Sequence, residues 1–431
     1  MPDKIGQYRW TICSLLFFAT TINYLDRQVI SLVVVDYLTP EFHWSENDYA
    51  NVTIIFQLSY AIALFGAGRI IDKLGSKIGY ALALVLWSLA SIGHAFVRTT
   101  FGFFIARSAL GITEAGNFPA AVKATAEWFP KKERALATGI FNSGTNIGAV
   151  IAPLTVPFIA QQYGWRIAFL ITGSFGLLWL IFWFWLYEIP QKSKRVGKAE
   201  MAYIHSDKGS TNDDIAENKA GWKKLLSYRQ TWGVVSAKFM TDGVWWFYLF
   251  WLPKFLDAQF HLNKDRIVFP IALVYIISSV GSIVGGWLPL RLIQRGHPIF
   301  DARKNSMLLY ACCALPVLLI QFIGAYSLWI VMIIIGIATA AHQAWSANVY
   351  TLASDIFPKR AVASVIGIAG MAGALGSILL AKGAGLLFDK YKLMGNINTG
   401  YYTVFYVCAF AYIVAWLLVQ MFIPKMKSVD L

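Results

Sequence analysis

Charged residues are scarce in this sequence. Asp, Glu, Lys and Arg make up 14% of its 431 residues, against roughly a quarter in a soluble chain, which excludes an ordinary water-soluble domain. The charge that remains is basic, with a net of +14; in a chain this apolar, a positive-inside bias accounts for it better than nucleic-acid binding does. The four cysteines, Cys13, Cys312, Cys313 and Cys408, lie in apolar runs without a C-x-x-C, which excludes a disulfide framework and a zinc site. Neither H-E-x-x-H nor G-x-S-x-G occurs, so an enzyme is not expected, nor any metal or cofactor. The N-terminal "MPDKIGQYRW" runs into the first apolar stretch without a small-residue cleavage site, so that stretch is expected to be retained.

What is abundant is apolar sequence, 57% of residues. Runs of about 20 residues, each long enough to cross ~30 Å of hydrocarbon as a helix, recur at 11–37, 50–70, 79–98, 101–124, 136–159, 165–187, 230–256, 267–291, 304–325, 327–350, 361–387 and 401–423. The fold class expected is an all-α membrane protein of twelve spans. The one long polar stretch divides it into a six-helix half at 1–187, a linker at 188–229 and a second half at 230–431. The first hairpin, between Gln28 and Gly68, has no Lys or Arg. Alternate later connections hold Arg69, Lys73 and Lys77, then Lys131, Lys132 and Arg134, then the basic linker, then Arg291, Arg295, Arg303 and Lys304, then Lys359 and Arg360. This asymmetry predicts that both termini and the linker are cytoplasmic.

The halves repeat one another. "EWFPKKERALATGI" (from Glu127) aligns without gaps to "DIFPKRAVASVIGI" (from Asp355), and more weakly the loop from Gly68 to Lys77 aligns to that from Gly286 to Lys304. Two homologous halves about an axis are a transporter architecture.

Ionisable residues inside such spans are costly and point to a site. "INYLDRQ" places Asp26 and Arg27 in the first span, and the fourth carries Arg107 and Glu114 two helical turns apart on one face, with Asn117 following at i+3. Asp26 and Arg27 point about 100° apart on a helix, so they take different partners. The economical arrangement pairs Asp26 with Arg107 and leaves Arg27 as a fork for a substrate carboxylate. Asp26 and Glu114, partly desolvated, are the groups able to exchange protons. The chemistry expected is that of a proton-coupled carrier of an organic anion. A purely structural ion pair is the plainer alternative.

Amides, hydroxyls and indoles at matching depth suit a polyhydroxylated ligand. They are Gln57 and Tyr60 in the second span, Asn142 and Asn146 in the fifth, Asp242, Trp245, Trp246 and Tyr248 in the seventh, and His342, Gln343, Trp345, Ser346 and Asn348 in the tenth. Each could instead join helices to one another. Lys238 and Asp242, at i and i+4, read as a structural pair nearer the cytoplasmic end, with a role in the site as the alternative. In "GRIIDKLGSK", glycines allow a tight turn, and Asp72 can accept from a helix N-terminus or pair with a base of the other half as a breakable latch. Gly144 and Gly148 form a small-residue face for close helix contact.

These residues resemble the major facilitator superfamily, whose loop pattern G-x-x-x-D-[RK]-x-G-x-[RK] is matched by Gly68, Asp72, Lys73, Gly75 and Lys77. More narrowly, "NYLDR", "RSALGITEAGNFPAA" and "EWFPKKERALATGIFNSGTNIG" are similar to the anion:cation symporter family. "WWFYLFWLPKFL" and "HQAWSANVYTLASDIFP" resemble its bacterial hexuronate carriers. The resemblance implies proton symport of a sugar acid, with Asp26 and Glu114 as protonation sites. It gives Arg27 the substrate carboxylate, Arg107 a place in their ion-pair network, and Tyr24 and Tyr60 the lining of the sugar pocket. It also implies a monomer in the bacterial inner membrane, with lipid and a small anionic sugar as its partners and H+ as its coupling ion. The second-half loop departs from the pattern, because Arg291 stands where an acid is expected.

Overall fold

The computed structural model describes residues 5–206, 221–260, 262, 264–323, 327–425 and 428–429. Much of the linker, 207–220, lies outside them. The described residues are almost entirely helical. The first half comprises α1 (Tyr8–Val33), α2 (Thr39–Phe42), α3 (Glu46–Gly93), α4 (Thr100–Glu114), α5 (Asn117–Trp128), α6 (Lys131–Tyr163) and α7 (Trp165–Leu186). Two short linker helices follow, α8 (Lys198–Ile204) and α9 (Trp222–Ser227). The second half has α10 (Arg229–Phe260), α11 (Lys264–Gln294), α12 (Ile299–Cys313), α13 (Ile320–Ile323), α14 (Leu328–Ile356), α15 (Val362–Leu393) and α16 (Ile397–Phe422).

Eight described helical stretches are long and apolar enough to cross a membrane. One of them, Asn47–Phe96, supplies two spans, because it folds back at Gly75, whose φ of +80° suits a residue without Cβ. Gly79 then packs against Ile71, eight residues earlier. The charge-bearing α1, the broken pair α4–α5 and α10 complete the twelve. The break corrects an expectation. A continuous fourth span would put Asn117 on the face of Arg107 and Glu114, but the helix stops at Glu114 and restarts at Asn117. Pro119 has no amide to donate to the carbonyl of Ala115, and Thr113 Oγ1 bonds back to Ala109 O at 2.8 Å.

The repeat in sequence is a repeat in packing. A side chain at Gly68 would collide with Ala363 O, and one at Gly286 with Ala135 O; one at Gly367 would meet Leu64 O, and one at Gly139 Ser282 O. The register that pairs Glu127 with Asp355 also pairs Ala135 with Ala363 and Gly139 with Gly367. The register that pairs Gly68 with Gly286 pairs Leu64 with Ser282. Two symmetry-related seams, α3 on α15 and α11 on α6, therefore close the halves together. Within the first half, Gly144 and Gly148 seat α6 on α1, where a Cβ would lie 2.6 Å from Phe17 O and from Thr21 O respectively.

Polar bonds reinforce these seams at the end of the bundle that carries both terminal helix ends and the basic loops, called here the basic end. Asp72 accepts from Lys123 Nζ at 2.7 Å, and from Ser364 N at 2.7 Å and Ser364 Oγ at 2.6 Å at the start of α15. Asp355 accepts from Arg303 Nε at 2.6 Å and Arg134 Nη1 at 3.3 Å, and Arg303 also donates to Lys131 O at 2.6 Å. In the second-half loop, Arg291 lies over the ring of Trp287 instead. Linker helix α8 is pinned to the first half: Arg9 bonds both Glu133 (2.8 Å) and the buried Glu200 (3.3 Å).

Candidate functional site

Between the halves lies a cavity of about 210 Å³ whose walls come from α1, α3, α5, α6, α10, α14 and α15. Of the candidate residues, Tyr24, Arg27, Tyr60, Asn142, Trp246, His342 and Gln343 line it, together with Gln57, Thr145, Trp245 and Ser346.

Arg27 is the cation of the α1 wall. Its guanidinium lies 4.7 Å from the Tyr24 ring, 5.2 Å from Phe56 and 4.9 Å from Tyr60. Such faces attract a cation that water no longer solvates. Its counter-ion is Glu114, which takes Nε at 2.9 Å and Nη2 at 2.7 Å on the single oxygen Oε2. Glu114 Oε1 has no hydrogen-bond partner among the described residues. Glu114 stands behind the lining, fully buried.

This pairing replaces the expected one. Asp26 turns to the second limb of α3, where Oδ1 accepts from Ser91 Oγ at 3.2 Å. Arg107 lies over Phe56 at 4.5 Å, its Nε and Nη1 without a hydrogen-bond partner among the described residues. No ion pair joins Asp26 to Arg107. Neighbouring residues on α1 do diverge as expected, but it is Arg27 that the divergence aims at α4. Asp26, Arg107 and Glu114 are nonetheless buried within the bundle, and the Arg27 side chain, 9% exposed, lines the cavity.

Asn117, Asn348 and Trp345 are placed as helix contacts away from the cavity wall. Asn117, displaced by the break, accepts from Tyr80 Oη at 2.6 Å and donates to Asn23 at 3.3 Å. Asn348 donates to Gly285 O and Ala344 O, both at 2.8 Å, tying α14 to α11. Trp345 is buried edge-on to Tyr412. Asn146 accepts from Gln343 at 3.2 Å, while Asn142 donates to Gln343 at 2.7 Å, so these amides also join the halves at the cavity. His342 bonds Tyr412 Oη at 2.9 Å and stacks on Trp245.

The cavity also includes the pair on α10 whose plainer reading was structural, although Asp242 is among the polar groups at matching depth. Lys238 and Asp242 form an ion pair at 2.8 Å on its α10 wall, and Lys238 donates to Tyr350 Oη at 3.0 Å. The signal was available, because at 1.5 Å per residue Asp242 lies about 20 Å into α10, mid-membrane rather than at its end. Tyr350 was read as the end of a span, but α14 continues to Ile356.

The chain belongs to the Major Facilitator Superfamily, whose family model matches residues 16–381. It is 32% identical to the "Hexuronate transporter" of Escherichia coli (strain K12) over 389 residues, 90% of this chain and 89% of that one. It is 27% identical to the "D-galactonate transporter" of Escherichia coli O6:H1, over 90% and 91% of the two chains. Its fold is similar to that of the MFS proton:xylose symporter XylE, solved with 6-bromo-6-deoxy-D-glucose, at a TM-score of 0.77 and 18% identity over 97% of each chain. The protein is thus a membrane-spanning transporter and not an enzyme, related to carriers of sugar acids.

Proposed function

We propose that this transporter is a proton-coupled symporter that carries a hexuronate, such as glucuronate or galacturonate, into the cell across the bacterial cytoplasmic membrane. It works as a monomer with both termini inside. Halves 1–187 and 230–431 rock about the cavity on the linker 188–229. The observation that carries this reading is Arg27, a guanidinium on the cavity wall whose carboxylate partner Glu114 holds it through one oxygen. A proton arriving on Glu114 weakens that hold and frees the fork for a substrate carboxylate. Asp26, fully buried and outside any ion pair among the described residues, is the second candidate for the proton. Gln57, Asn142 and Gln343 offer amides to the sugar hydroxyls, and Trp245 and Trp246 offer faces to its C–H surface. Asp72, Lys73, Gly68, Gly75 and Lys77 belong to the gate at the basic end, which the Asp72–Ser364 bonds hold shut.

An aldonate, aldarate or other organic anion is the second reading, the aldonate favoured by the likeness to a galactonate carrier. Uptake into proteoliposomes under an imposed inward proton gradient tests both. Accumulation of glucuronate or galacturonate above that of an aldonate is expected. Accumulation of a neutral hexose with none of any sugar acid would refute the anion reading.

A further inference from the structure

The two halves bring unequal charge to the cavity. The counter-ion of Arg27, Glu114, stands behind the wall, whereas the counter-ion of Lys238, Asp242, is on it. Lys238 Nζ is committed to Asp242 Oδ2 at 2.8 Å and to Tyr350 Oη at 3.0 Å, and it lies 4.5 Å from the Tyr350 ring centre. The lysine side chain is 7% exposed and the aspartate 15%, so the carboxylate is the more open member of the pair. Its seat is built: a side chain at Gly373 of α15 would collide with Asp242 Oδ2, and the i, i+4 spacing holds both residues on one face of α10.

A sugar acid bound by its carboxylate to Arg27 would share the cavity with an acceptor carrying negative charge, because Arg27 and Asp242 line the same space. Hydroxyls can donate to that acceptor, but a second carboxylate cannot, and like charges brought together across a desolvated site suppress the wrong partner. We propose that Asp242 is a specificity-determining residue that restricts the cargo to sugar acids with one carboxylate and rejects six-carbon sugar di-acids. Lys238 is its positioning residue, neutralising Asp242 enough to keep it in the membrane while leaving its acceptor capacity toward the cavity. This inference rests on the reading of Arg27 as the carboxylate site.

Glucuronate and glucarate differ at one end, where the di-acid has a second carboxylate. Uptake of labelled glucuronate into proteoliposomes, with unlabelled glucuronate or glucarate as competitor, tests the proposal. In the parent protein glucarate is expected to compete about tenfold or more weakly than glucuronate. Asp242→Asn removes the repelling group and frees Lys238, so the ratio should shift toward glucarate by about tenfold or more. Asp242→Glu should restore the parent's preference, which a merely structural disturbance would not. The double variant Lys238→Gln, Asp242→Asn leaves no unpaired buried charge to impair folding and should also lose discrimination. A parent that takes glucuronate but accepts glucarate equally, or Asn and double variants with the parental ratio, overturns the role of Asp242 alone. A parent that takes up no sugar acid overturns the reading of Arg27 as well.

Discussion

A guanidinium survives inside the bundle at residue 27 because three aromatic faces and one carboxylate replace its water. The arrangement is poised, since Glu114 spends one oxygen on both bonds and leaves the other without a partner. Arg27→Ala should lower sugar-acid uptake at least about thirtyfold, the loss expected when one member of a buried charge pair is removed. Arg27→Lys should recover only part of it, because an ammonium does not fork onto a carboxylate; initial uptake rates check both. Glu114→Gln keeps the shape and removes the titration, so it should retain substrate exchange while losing accumulation driven by a proton gradient. Concentrative uptake equal to the parent's would remove Glu114 from the coupling step. Arg27 and Glu114 were conspicuous in the sequence as charges in apolar runs. Their partnership was not, because adjacency on α1 says that Asp26 and Arg27 diverge without saying which of them meets α4.

Among the elements, the interruption between α4 and α5 did most to rearrange the expected site. A run of apolar and small residues from Phe101 to Trp128 reads as one helix, and only the missing Pro119 amide and the Thr113 back-bond mark the stop. Asn117 is thereby spent on Tyr80 and Asn23. In α10 the i, i+4 spacing makes Lys238 and Asp242 a pair, and the structure puts that pair on the cavity wall, the role that the sequence holds open beside the structural one. The end of α14 contributes Asp355, whose carboxylate joins Arg134 and the fully buried Arg303. Asp355→Ala leaves Arg303 without an acid and should cost about 3 kcal/mol or more, seen as a lower melting midpoint in detergent. A midpoint unchanged from the parent's would mean that the seam does not depend on this knot.

At the scale of the whole molecule, the pseudo-symmetric seams hold the basic end closed and leave the cavity between the halves. Gly68 and Gly286 occupy equivalent places, and each is required by the close approach of a backbone carbonyl. Gly68→Leu should therefore prise open the basic end. A cysteine at Ser282, fully buried at the opposite seam against Gly139, should then react faster with a water-soluble maleimide supplied from the basic end. Equal reactivity with and without the leucine would separate this packing from the opening of the gate. The sequence by itself determined the all-helical membrane fold, the repeat, and which charges and amides are out of place in lipid, because hydrocarbon tolerates only runs of a set length and penalises each buried charge wherever it falls. Only the tertiary structure decided that Arg27 takes Glu114, that Asp26 takes Ser91, that Asn117 and Asn348 tie helices, and that Lys238 and Asp242 line the cavity. A partner is chosen by the rotation and depth of two helices relative to one another, and those depend on packing between segments far apart in the chain.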